Sequence, residues 1–192
     1  IYPLPDDYFQ TRSTNKIQNI GVPAMLTPWK GQLQVLEMVK HYQEELKRLG
    51  ILKICLFGEQ IYQTEGVHQN YKENLLKYCA ENALDLISFE GKKSSDLIIH
   101  STLSAEPFGR VIIEAFMAKV PVISTALGGA SELVRHEESG LVYKAYSADE
   151  LFMCIRKLVL DPKLRSRVLE VAYQNYLQIK ASNNATYGKL FT

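Results

Sequence analysis

A strand-like run, Asp96-Leu-Ile-Ile-His-Ser101, leads through Glu106-Pro-Phe-Gly109 into the helix-forming Arg110-Val-Ile-Ile-Glu114. No other feature constrains the fold as tightly. Strand, turn and helix start in immediate succession belong to an open α/β sheet, where ligands bind at the carboxyl ends of strands against helix N-termini. Pro107 suits the first position of a helix, because its missing N–H has no partner there. This predicts that the N–H groups of Phe108, Gly109, Arg110 and Val111 point out unpaired at the positive end of the helix dipole. Gly109 permits close approach to the backbone. Glu114 then lies roughly 10 Å further along the axis, at ~1.5 Å per residue. A nucleotide diphosphate held at the helix start brings its ribose near that depth, within reach of the Glu114 carboxylate. Glu106 faces whatever the distal phosphate carries. Taken singly, either glutamate reads as an ordinary helix acid; turn, spacing and preceding strand together point to function.

The rest of the chain alternates in the same way. The pattern predicts strands over 17–26, 51–57, 84–89, 96–101, 120–124 and 141–143. Helices are expected over 32–49, 68–82, from Pro107 onward, over 128–136, and over 148–160 and 162–180. Apolar residues at 33, 35, 36, 39, 42, 46 and 49 approximate helical spacing, and Gly50 stops that helix. Alternating strands and helices predict a Rossmann-like, mainly parallel sheet with helices on both faces. Residues 1–16 read as a linker or domain-entry segment, 17–173 as the folded domain and 174–192 as a C-terminal helix or tail. Only Lys92-Lys-Ser-Ser95 separates Gly91 from Asp96, too little for a parallel crossover of about a dozen residues. Either a strand assignment fails or the chain lacks a segment there; the second is favoured.

Composition narrows the function. The 192 residues are 46% hydrophobic and 22% charged, with a formal net charge of +1, so no broad electrostatic case exists for nucleic acid. No apolar run spans a bilayer. Three cysteines, Cys55, Cys79 and Cys154, fit no metal spacing, and an odd number of core-like thiols points to a reducing cytoplasm. Lys30, at a predicted helix start, is unfavourable for the dipole unless an anion sits there. His100 reads as a packed histidine, and Trp29 and Tyr62 as packing aromatics.

Glu106 and Glu114 resemble the E-x7-E motif of the retaining glycosyltransferase family 4, which has the GT-B fold. The resemblance runs on through Lys119-Val-Pro-Val-Ile-Ser-Thr-Ala-Leu-Gly128-Gly129, Glu138-Ser-Gly140 and Asp149-Glu-Leu. Upstream, Trp29-Lys30-Gly31 resembles the family's Lys-Gly loop, and Phe57-Gly58 its glycine at the end of the second strand. These matches fall in family order across about residues 17–175, and all belong to the C-terminal, donor-binding half.

The resemblance implies a domain that binds a nucleotide-diphosphate sugar without a metal or other cofactor. It implies Glu106 and Lys30 as the residues acting at the reacting centre. Phe108, Gly109, Arg110, Val111, Glu114, Gly58, Gly128 and Gly129 complete the expected donor site. The family's usual arginine, five residues before the lysine, is Met25 here, which leaves Lys30 as the main positive charge. The resemblance further implies an acceptor-binding domain preceding Ile1, peripheral membrane association of the whole enzyme, and a helix from Gln174 to Phe191 that packs on that absent domain. Alone, the chain is expected to be inactive and to self-associate through Tyr176, Leu177, Tyr187, Leu190 and Phe191. A non-catalytic nucleotide-binding or interaction module on the same scaffold remains a second reading, and a nucleotide-sugar epimerase a weaker third.

Overall fold

A computed structural model describes residues 16–58, 70–89 and 95–190, with side chains through residue 182. Short β-branched and leucine-rich runs give strands β1 (Asn19–Pro23), β2 (Lys53–Phe57), β3 (Ile87–Ser88), β4 (Leu97–His100), β5 (Val122–Ser124) and β6 (Leu141–Val142). They form one sheet in the order β3-β2-β1-β4-β5-β6. Every pairing is parallel, with Ile20 opposite both Ile54 and Leu97, and Ile98 opposite Val122. The order reverses between β1 and β4, which is the switch point where open α/β sheets bind ligands.

Period-two alternation sorts the strands onto two faces. Ile20, Ile54, Leu97, Ile99 and Ile123 meet helices α1 (Gln32–Arg48), α2 (Tyr71–Glu81) and α5 (Ala148–Leu160). Ile98 and Val122 face the other way, toward α3 (Arg110–Met117), α4 (Ala130–Leu133) and α6 (Pro162–Leu190). The expected Rossmann-like fold with helices on both faces is therefore the observed one. Ser147 caps α5 by accepting from Glu150 N, which satisfies one of the four unpaired N–H groups of that helix start.

Several expectations change. Helix α4 covers only Ala130–Leu133 instead of running to His136, because Val134 is already extended (φ −106°, ψ 109°). Helix α6 runs unbroken across the expected boundary at residue 174. Tyr176, expected to be exposed, is buried against α3 in the second core, whereas Leu177 is partly exposed. The side chains of Tyr187, Leu190 and Phe191 lie outside the described residues, as does most of the segment 1–16.

The short link before β4 joins strands that are not neighbours, since β2 and β1 lie between β3 and β4. The link spans residues 89–96, of which 90–94 lie outside the described residues, so the segment expected to be missing there falls outside them as well. The end of the link is clamped to the start of β1: Asp96 Oδ2 accepts from Gln18 N at 3.0 Å and Asn19 N at 2.8 Å, and Asp96 N donates to Asn19 O at 2.7 Å.

Candidate functional site

A cavity of about 650 Å³ opens at the carboxyl edge of the sheet, over the switch point between β1 and β4. Two chain segments build its floor. After β1, a short 3-10 turn (Pro28–Lys30) ends at Gly31, whose φ of 74° suits glycine and which also starts α1. A Cβ at Gly31 would fall 1.9 Å from the Ser101 carbonyl oxygen, so this turn rests directly on the end of β4. Ser101 Oγ donates to Lys30 O at 2.8 Å, and Leu103 N to Trp29 O at 2.8 Å. The two segments thus hold each other in register.

After β4 the chain forms a loop before α3 begins. Pro107 is not the first helical residue. The helix starts at Arg110, with Gly109 (φ 71°) as its N-cap, because Glu106 first pairs with Gly128 in an isolated parallel bridge. Gly129 N donates to Glu106 O at 2.7 Å. A Cβ at Gly128 would meet Glu106 O at 2.5 Å and Glu106 N at 2.7 Å. With Gly109 as N-cap, the N–H groups of Arg110 and Val111 open the helix at the cavity, and Ile112 N already donates to Gly109 O at 3.0 Å. Glu114 correspondingly sits one turn into the helix, about 6 Å from its start at ~1.5 Å per residue.

The lining contains Lys30, Gly58, Glu106, Phe108, Gly109, Arg110, Val111 and Glu114. Gly128 and Gly129 are not part of it; they brace the backbone of the loop that carries Glu106. Met25 lines the cavity as well, and its carbonyl accepts from Gln32 Nε2 at 2.8 Å. Glu132, exposed on α4, lies elsewhere.

Lys30, expected as the main positive charge, is already engaged. Its ammonium pairs with Glu106 Oε1 and lies 4.2 Å from the centre of the Trp29 ring. His100, set aside on sequence grounds, stands at the closing end of β4 with Nε2 3.4 Å from the other carboxylate oxygen, Oε2. A residue ending a parallel strand at the switch point faces the crevice, and that position was the available signal. Burial pushes the Glu106 carboxyl up, but His100 and Lys30 outweigh it and hold the group down at about 2. Burial raises Glu114 above the usual carboxylate range, partly offset by Arg110, whose guanidinium is 3.9 Å away. One acid is thus held as a carboxylate, while burial disfavours the charged form of the other.

Among the described residues, no cluster of three or more His, Cys, Asp or Glu side chains is placed to hold a metal ion. No helix among them is long and apolar enough to cross a membrane. Cys154 is buried and Cys55 and Cys79 are half-buried; all three are free thiols.

A doubly wound domain with this crevice matches the glycosyltransferases of the GT-B fold. HepE of Anabaena, solved with UDP and glucose, superposes with a TM-score of 0.80 at 22% identity, over 96% of this chain and 54% of that one. The C-terminal domain of the group 1 glycosyl transferase LpcC from Francisella tularensis gives 0.69 at 20% identity, over 91% of this chain and 96% of that one. The chain belongs to the glycosyl transferases group 1 family, whose model matches residues 7–175. The uncharacterized glycosyltransferase MJ1069 of Methanocaldococcus jannaschii is 24% identical over 164 residues, 83% of this chain but 40% of that protein. The putative glycosyltransferase YtcC of Bacillus subtilis is 34% identical over 79 residues, 41% of this chain and 19% of that protein. The chain therefore matches about half the length of HepE and less of MJ1069 and YtcC.

Proposed function

We propose that the chain is the donor-binding, C-terminal half of a retaining family 4 glycosyltransferase, moving a sugar from a nucleotide-diphosphate sugar to an acceptor held by a second domain. The observation that carries this reading is the crevice itself. One opening brings together Lys30, the N-terminus of α3 and both glutamates. The bond from the anomeric carbon to the distal phosphate oxygen breaks, the acceptor hydroxyl oxygen bonds to that carbon on the same face, and the nucleoside diphosphate leaves with the electron pair and takes up the hydroxyl proton. Negative charge grows on that oxygen, where the helix N–H groups of Arg110 and Val111 and the Lys30 ammonium stabilise it. Glu114 is the group for the ribose hydroxyls, and Glu106 faces the sugar. The relative proportions of the chain and its relatives, and the near-complete match to the LpcC C-terminal domain, support placing the acceptor site on another domain.

The reading is tested by titrating UDP, GDP and ADP, and then their sugar esters, into the chain by calorimetry. Saturable binding of one base series supports it, and no binding of any overturns it. A second test joins the chain to an acceptor-binding half. Transfer by the joined protein and none by the chain alone is the expected result.

The alternative of a non-catalytic nucleotide-binding module is favoured by one observation. Met25 stands where the family has an arginine, and Lys30 and Arg110 are both engaged by carboxylates. Binding without transfer in the joined protein would select it.

A further inference from the structure

The ion pair between Lys30 and Glu106 raises a question that depends on the donor-site reading above. If a diphosphate enters, Lys30 is the nearest ammonium, and moving toward the phosphates takes it from Glu106 Oε1. The Glu106 side chain is only 11% exposed, and leaving it with less compensation there is costly. The second oxygen, Oε2, still faces His100.

The Glu106 carboxylate can only accept, so His100 presents an Nε2 hydrogen toward Oε2. Ser124 Oγ lies 3.0 Å from Nδ1 and accepts from Ala126 N at 2.9 Å; in the neutral ring its hydroxyl donates to Nδ1. Should the ring gain a second proton, Nδ1–H donates to Ser124 Oγ, whose other lone pair still serves Ala126 N. Ser124 therefore accommodates both charge states without moving any heavy atom. The charged groups around the ring are Glu106 from the loop after β4 and, through that carboxylate, Lys30 from the turn after β1. Arg110 and Glu114 of α3 line the same cavity.

We infer that His100, oriented by Ser124, is a positioning residue that holds Glu106 when the donor draws Lys30 away, taking up a proton as it does so. The proton comes from solvent and ends on Nδ1. Charge in the crevice stays balanced, and Glu106 remains placed for the sugar. Net proton uptake makes donor binding tighter as pH falls, by no more than about tenfold per unit for a single proton.

The test measures proton uptake on binding, by calorimetry in buffers of different ionisation enthalpy, with UDP, GDP or ADP, whichever binds tightest. A terminal phosphate itself titrates near pH ~6, so the informative quantity is the difference between wild type and His100→Gln. Glutamine keeps an N–H for Glu106 but carries no titratable proton. Expected is a proton uptake in wild type that exceeds the variant's, with a flatter affinity–pH profile in the variant. Equal uptake in both proteins overturns the relay while leaving the donor site standing; no binding of any diphosphate overturns both. Independently of ligand, nitrogen NMR of the free protein should find neutral His100 protonated on Nε2. Protonation on Nδ1 instead overturns the arrangement.

Discussion

Lys30 Nζ and Glu106 Oε1 close on each other across the crevice, although their residues are 76 positions apart in the chain. One comes from the turn after β1, the other from the loop after β4. A cation and an anion that meet only at the switch point make the free site neutral there, and a ligand must compete for the cation.

Lys30→Ala should therefore weaken a nucleoside diphosphate far more than the nucleoside. Loss of a charge-assisted contact is worth about 1.5–3 kcal/mol, roughly 10- to 150-fold in affinity. Raised salt should narrow the difference, since the cavity is open to solvent. Paired titrations of diphosphate and nucleoside decide the matter; equal losses for both would make Lys30 structural.

Glu114→Gln should weaken nucleotide diphosphate by a similar factor while the fold persists. Burial already raises this carboxyl above its ordinary value, so its ionised form costs stability at neutral pH, and the cost shrinks as pH falls through the folded value. The variant should melt at the same temperature as wild type, or higher, at pH 7.5, with the advantage fading in acid. Thermal melts at several pH values alongside binding isotherms check both halves.

Acid should unfold the chain partly through Glu106. Its carboxyl is held at about 2, below its ordinary value near ~4.3. The stabilisation is complete above the ordinary value and is lost as pH falls from there toward 2. Lys30→Met removes one of the two groups responsible, so its acid-unfolding midpoint should move to higher pH. An unchanged midpoint by circular dichroism would refute the assignment.

Two glycines with left-handed backbones provide a controlled comparison. Gly50→Ala meets nothing within 4 Å and should cost only the conformational strain, about 1–2 kcal/mol. Gly31→Ala adds a collision with the Ser101 carbonyl at 1.9 Å and should cost at least about 3 kcal/mol. Urea midpoints of the two variants measure the gap, and similar values would mean that the turn after β1 shifts freely.

The sheet was legible because its strands are short, β-branched or leucine-rich, and punctuated by glycine, and because period-two burial puts Leu97 and Ile99 opposite Ile98. Placement in the crevice was legible where it follows from a residue's own segment, as with Glu114 on α3. It was not legible where tertiary contacts decide. The start of α3 moves from Pro107 to Arg110 because Gly128, on a later loop, captures Glu106. Engagement of Lys30 depends on a loop from the other side of the switch point, and the contact of His100 on a serine from β5. Tyr176 was expected at the surface, but α6 turns it onto α3.

Strand order also fixes when the crevice can exist. The first of these six strands in chain order, β1, takes a place inside the sheet, with β2 on one side and β4 on the other. A nascent chain emerging from the ribosome can pair β1 with β2 early. Its other edge stays open until Leu97 has left the exit tunnel, since Ile20 takes Leu97 as its partner there. An unpaired interior edge is a template for wrong partners. Stalling between residues 57 and 97 should therefore expose the strand most prone to misassembly, and the Asp96 clamp becomes the event that ends that exposure and brings the two walls of the crevice together.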